Sequence, residues 1–315
     1  MKLQRPSPAI LPYGLRAMKS IAIVDGVFHE TERELIATAQ QFFGADHDID
    51  ALAPITPDEL AEHLTDPQLR RQIVRGMVVL SLIDGEASPA EAALVESYAQ
   101  ALGVESPDLT ALRHLADDSL TRARFDIARR FWAREKGLEF AKEKGLGWVV
   151  KAMAAMAGLR EDAAIAARYR ALENAPAGSL GRAYADFIRG NQYSFPGEKG
   201  SPPEMIVLHD LTHVLSGYQT DPIGELQVLA FHSGCRREEK DPFSFLMFGI
   251  AEFHLGLKMS PVAQGSRGKL DPALVLRALE RGSQCKIDPT DGWDPWPVMN
   301  ESLDGLRDRY GIAPP

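Results

Sequence analysis

Cysteine is nearly absent from this chain: Cys235 and Cys285 are the only two in 315 residues. So few argue against a disulfide framework and fit a reducing, cytoplasmic setting. Basic charge is also in deficit, with 35 Lys and Arg against 44 Asp and Glu, a net charge of −9 and a pI near 5.5. A nucleic-acid partner, which calls for a basic surface, is not expected. No run of about 20 apolar residues occurs, so no bilayer-spanning helix is expected. The nearest candidate, 146–159, is short and contains Lys151. The amino-terminal segment has Lys2, Arg5, Arg16 and Lys19 but no clean apolar core, which does not read as a secretory signal. Pro6, Pro8 and Pro12 suggest a loose arm there, with a faint organelle-import character from the lack of acids before Asp25. Strand-like alternation of useful length is missing throughout, so the expected fold is all-α.

What remains is enough for ordinary cores: 45% of the residues are hydrophobic and 25% charged. The length favours two domains, expected at 1–145 and 146–315. The first contains an internal repeat. Asp25-Gly26, Glu32 and Leu35 match Asp84-Gly85, Glu91 and Leu94 at a constant offset of 59 (84 − 25). Asp-Gly marks a turn, and Ser88-Pro89-Ala90-Glu91 reads as a capping box opening a helix. Each repeat is therefore helix, turn, helix, and the pair is expected to close a small bundle. Over about residues 15–131 this pattern resembles the tellurite-resistance TerB family. The resemblance implies metal binding by Asp25, Glu32, Asp84 and Glu91, or a stress- or metal-response role. The plainer expectation is that the aspartates make the turns and the glutamates cap the helices.

The stretch 121–151 carries nine Arg or Lys against four acids, interleaved with Phe125, Phe131, Trp132, Leu138, Phe140 and Trp148. It reads as a packed helix with a solvated basic face, or as a basic amphipathic helix suited to an anionic membrane surface. Farther on, 243–257 is nearly all apolar and reads as a core helix or as the wall of a hydrophobic cavity.

The chemistry concentrates in 206–231. At helical pitch His209, Thr212, His213 and Ser216 share one face of an otherwise apolar helix. Asp210 lies about 100° from His209 and about 60° from His213, so the three can converge. Gly217 is a natural stop, and Asp221-Pro222 a natural restart, with Glu225 in the first turn of the returning helix. His213 and Glu225 then sit at the same depth, each roughly 6 Å from the bend. Two imidazoles and two carboxylates there describe a divalent-metal site, with His209, Asp210, His213 and Glu225 as ligands and zinc as the ion that suits mixed nitrogen and oxygen donors. The spacing differs from HExxH, in which a Glu follows the first His. A His-Asp phosphohydrolase would need a further upstream histidine, and the nearest, His114, is distant. His232 and His254 are expected to be satisfied core or surface histidines.

The pattern His209-Asp210-x-x-His213, eleven residues, then Glu225 resembles the coenzyme Q (ubiquinone) biosynthesis protein 4 family. Further similarity runs through Gly178–Phe187, through Gly217, Thr220, Gly224 and Glu225, and through Gly282, Trp293 and Leu303–Ile312. The resemblance implies action on a polyprenylated benzoquinone precursor, with metal-dependent oxidative decarboxylation at ring C1. It equally implies a lipid-binding scaffold that organises other quinone-biosynthesis proteins. Partners expected on this basis are the polyprenyl quinone precursor, those proteins, a peripheral contact with the inner face of a membrane, and a second copy in a homodimer.

Overall fold

The computed structural model describes every residue except 158, 160, 261 and 262, and the backbone alone at 144, 146, 148, 152 and 155. The apolar stretch 146–159 and the aromatic Trp148 therefore fall partly outside the described residues. The fold is all-α, and the only β structure among the described residues is two isolated bridges, Ser179 with Ser302 and Leu255 with Arg267. The repeat region supplies α1 (Leu11–Ala22), α2 (Glu30–Phe42), α3 (Pro57–His63), α4 (Pro67–Leu80), α5 (Pro89–Ala101) and α6 (Pro107–Ala116). The basic stretch follows as α7 (Leu120–Arg130), α8 (Trp132–Lys144) and α9 (Leu146–Met156). Next come α10 (Ala163–Arg170), α11 (Leu180–Gly190), α12 (Val207–Ser216), α13 (Pro222–Cys235), α14 (Phe243–Gly249), α15 (Pro272–Gln284) and α16 (Leu303–Tyr310).

Several starts follow from local chemistry. Pro occupies the first turn of α3, α4, α5, α6, α13 and α15, where its missing N–H costs no helical hydrogen bond. The basic stretch is three helices rather than one. Phe131 turns the chain extended at ψ 138°, and Gly145 ends α8 at φ +79°. Likewise 243–257 is not a single α-helix, because α14 passes into a π-helical turn at Ile250–His254.

The internal repeat is visible in space. Gly26 and Gly85 take φ of +92° and +95°, a left-handed conformation in which glycine has no Cβ to clash. Asp25 and Asp84 each accept the backbone N–H two residues on, at 3.0 and 3.1 Å. Glu32 accepts the His29 N–H at 2.8 Å, and Glu91 accepts that of Ser88. The expected capping box at Ser88 is not formed as at His29, since its hydroxyl makes no cap hydrogen bond. These acids thus serve turns and helix starts, and no three of them bring ligand atoms together as a metal group.

Glu32 and Glu91, 2% and 5% exposed, meet across the repeat and hydrogen-bond to each other. Burial pushes both carboxyls up, to about 7 and about 8, and the pair titrates as a unit. The folded protein holds protons there that the unfolded chain has released. That contribution is complete below the ordinary carboxyl value of 4.5 and is lost as pH rises through about 7 to 8. Stability should fall between pH 5 and pH 8 by on the order of 1–2 kcal/mol from this pair, after discounting for solvent screening. Glu91→Gln should flatten that fall and be the more stable protein at pH 8. Urea midpoints of both proteins at the two pH values check this, and a wild type equally stable at both would contradict it.

Buried residues of the repeat region and of α11–α16 form one continuous hydrophobic cluster. α2 packs on α15 and α7 on α14. Arg75 pairs with Glu238 at 3.1 Å, and the His254 ring meets the Ile83 carbonyl at 2.9 Å. An apolar cleft of about 150 Å³ lies between these parts, lined among others by Leu15, Met18, Ile73, Phe243, Leu246 and Val275. Gln72 and Arg75, the polar side chains on its wall, are engaged elsewhere, Gln72 with the Gln4 backbone and Arg75 with Glu238.

Candidate metal centre

The centre is built on the α12–α13 hairpin. α12 ends as the sequence requires: Gly217 adopts φ +81° and its N–H returns to the His213 carbonyl at 2.8 Å. α13 begins where Asp221 accepts the N–H groups of Ile223 and Gly224, with Pro222 in the first turn. The bend is tight. A Cβ at Gly224 would sit inside the Gln219 carbonyl, so glycine lets the next residue, Glu225, come up beside the histidines.

Three donors converge there. His209 Nε2 is 3.1 Å from Glu225 Oε2, His213 Nε2 is 3.4 Å from Glu225 Oε1, and the two Nε2 atoms are 3.2 Å apart. Donors about 2.0–2.1 Å from a tetrahedral zinc ion are separated by about 3.3–3.4 Å, so the trio has the spacing of ligands around one ion. Two facing imidazole nitrogens with a carboxylate between them also demand a cation or a proton at their centre. Among the described residues, His209, His213 and Glu225 are the one group that could hold a metal ion. The His213 ring is oriented for that task, with Nδ1 placed to donate to the Tyr218 carbonyl at 3.2 Å, which leaves Nε2 as the lone-pair side. Phe187 stacks on the same ring at 5.6 Å.

Charge follows geometry. Burial by itself would raise the Glu225 carboxyl, but hydrogen bonds and charge from His209 and His213 outweigh it and hold the group at about 2. Burial works against a charged His209, and the adjacent Glu225, helped by the charge of Asp210, turns the shift upward. Asp210 is not in the converging trio. It bears on the trio through charge, and burial, only partly opposed by the two histidines, lifts its carboxyl to about 6. The rest of the polar stripe turns inward: Thr212 donates to the Leu208 carbonyl and Ser216 to that of Thr212, at 2.8 and 2.6 Å.

His254 is satisfied as expected, between the Ile83 carbonyl and the Leu270 N–H. His232 is not. It is 1% exposed, and among the described residues neither ring nitrogen has a hydrogen-bond partner. Its ring stacks between His209 at 5.7 Å and Phe245 at 5.0 Å. Burial, then the charges of His209, His213 and Arg236, push its basicity well down, so it stays neutral. His232 is a core histidine, as expected, but not a satisfied one: it lies seven residues after Glu225 on the same face of α13, which points it at the site. That spacing was the signal available in the sequence.

No family model, curated protein or solved structure matches this chain. The centre is therefore characterised by its own donor set. It comprises two imidazoles and one carboxylate, 1–20% exposed at the side chain, with Phe187 stacked on His213 and His232 stacked on His209.

Proposed function

We propose that the chain binds one divalent ion, zinc by donor chemistry, at His209, His213 and Glu225, and acts on a polyprenylated benzoquinone precursor by removing its ring carboxyl oxidatively at C1. The carboxyl leaves as carbon dioxide, a hydroxyl from water takes its place, and dioxygen, the external oxidant, takes up the two electrons and two protons as hydrogen peroxide. What carries the reading is the 3.1–3.4 Å convergence of those three donors on the spacing His-Asp-x-x-His…Glu. Bound there, a divalent ion supplies Lewis acidity toward the carboxylate and phenolic oxygens of such a substrate. His213, fixed by Tyr218 and Phe187, sets the direction of approach. Asp210, the fourth ligand that the sequence pattern nominates, stands outside the trio and acts on it through charge. α14 borders both features: Phe245 stacks on His232, while Phe243 and Leu246 line the 150 Å³ cleft, whose apolar walls suit a polyprenyl chain. Glu225→Gln tests the reading. It preserves volume and apolar binding but removes a charged ligand. Cells relying on the variant should accumulate a precursor that keeps its ring carboxyl, read by mass spectrometry of extracted quinones. Normal quinone levels with metal verifiably lost would leave only the scaffold role.

A membrane surface is the partner we propose for α7–α9. Exposed apolar residues gather there, with Phe125 68%, Leu138 50%, Val150 67% and Met153 62% exposed, beside exposed Arg122, Arg124, Arg129, Arg134, Lys142 and Lys151. No helix among the described residues is long and apolar enough to cross a bilayer, so the contact is peripheral, combining apolar insertion with attraction to anionic lipid. Co-sedimentation with vesicles containing phosphatidylserine should exceed that with neutral vesicles and should drop on Val150→Asp with Met153→Asp. Equal sedimentation of the double variant would refute this face.

A further inference from the structure

The two cysteines of the chain stand 50 residues apart in sequence (285 − 235) yet meet in space. Cys235 is the last residue of α13, and Cys285 caps the end of α15, with its N–H on the Gly282 carbonyl at 3.0 Å. Both are free and half-buried, and each thiol lies close enough to the other to shift its acidity. The contact is enforced by backbone packing. A Cβ on Gly234 would collide with the Leu279 carbonyl, and one on Gly282 with the Phe231 carbonyl, so α13 and α15 touch main chain to main chain immediately before each cysteine. Neither thiol belongs to the metal centre, whose members on α13 are Glu225 and, against it, His232.

We propose that Cys235 and Cys285 are a redox modification site that closes to a reversible intramolecular disulfide on exposure to a hydroperoxide. The surroundings separate the roles. The nearby Cys235 thiol, helped by the neighbouring main-chain N–H groups, favours the Cys285 thiolate; Cys235 is pushed the other way by burial. The Cys285 thiolate attacks one peroxide oxygen, the O–O bond breaks, and the departing oxygen takes up protons and leaves as water, giving a sulfenic acid. Cys235 sulfur, losing its proton, then attacks the Cys285 sulfur. The S–S bond forms and the sulfenic oxygen leaves as a second water. Two thiols lose two electrons and two protons, and one hydrogen peroxide becomes two waters. The product staples the end of α13 to the end of α15, a closure that restricts the unfolded chain more than the folded one.

The test uses the full chain treated with hydrogen peroxide, alkylated with N-ethylmaleimide and analysed by intact and peptide mass spectrometry. Both alkylation sites should vanish together, with a mass two hydrogens lower and a peptide joining Cys235 to Cys285. Dithiothreitol should restore both sites, and the oxidised protein should melt several degrees higher. In Cys235→Ser the remaining Cys285 should stop at a sulfenic acid that dimedone traps. The site is overturned if both thiols remain alkylatable under peroxide that oxidises a free cysteine control. It is equally overturned if sulfinic acid forms without a cross-link, or if the cross-link joins two chains.

Discussion

Gly282→Ala should destabilise the protein by about 3 kcal/mol or more, through a side chain of one methyl group. The added Cβ would fall inside the Phe231 carbonyl, and backbone cannot rotate away as the end of a long side chain can. α13 and α15, the most extensively packed pair of helices, would have to separate. Their interface is close-packed, so relief at one glycine opens voids along the rest. Effects above 3 kcal/mol arise from such backbone overpacking rather than from surface changes. A fall in Tm of roughly 5–10 °C is expected for a chain of this size. Because α13 carries Glu225, metal affinity should weaken with it. A Tm within about 2 °C of wild type would mean that α13 and α15 do not approach as described.

His213→Ala should lower metal affinity by at least about 100-fold, since even partners that only orient a ligand contribute 10–100-fold. The histidine is 1% exposed at the side chain, fixed by Tyr218, and in contact with both other donors. Its loss leaves His209 and Glu225, one short of the three protein ligands that hold an ion in an open tetrahedral site. Asp210→Asn should cost less than His213→Ala, because Asp210 acts on the trio through charge and lies outside it. Competition with a chromophoric chelator ranks the two. An Asp210→Asn loss as large as that of His213→Ala would make Asp210 a ligand of equal standing.

Much of this site is legible without coordinates because it is local. Gly217, Asp221, Pro222 and Glu225 encode a helix stop, a cap, a restart and a ligand within nine residues (225 − 217 + 1), and backbone geometry over so short a span leaves little freedom. The turns at Asp25-Gly26 and Asp84-Gly85 are legible for the same reason. What escapes reading depends on tertiary contact. The pairing of Glu32 with Glu91 joins helices of different repeats. The unsatisfied ring of His232 owes its position to Phe245 on α14. The breaks at Phe131 and in the π-helical turn at 250–254 arise where apolar side chains pack, as in the Phe131–Phe248 stack at 3.8 Å. Helical periodicity alone carries no sign of either.

Elemental analysis of the wild-type protein, purified without added metal and set beside His213→Ala, tests the metal centre most directly. About one divalent ion per chain in the wild type, and almost none in the variant, is the expected result. No ion in the wild type, or equal metal in both proteins, would contradict the assignment of His209, His213 and Glu225 as its ligands.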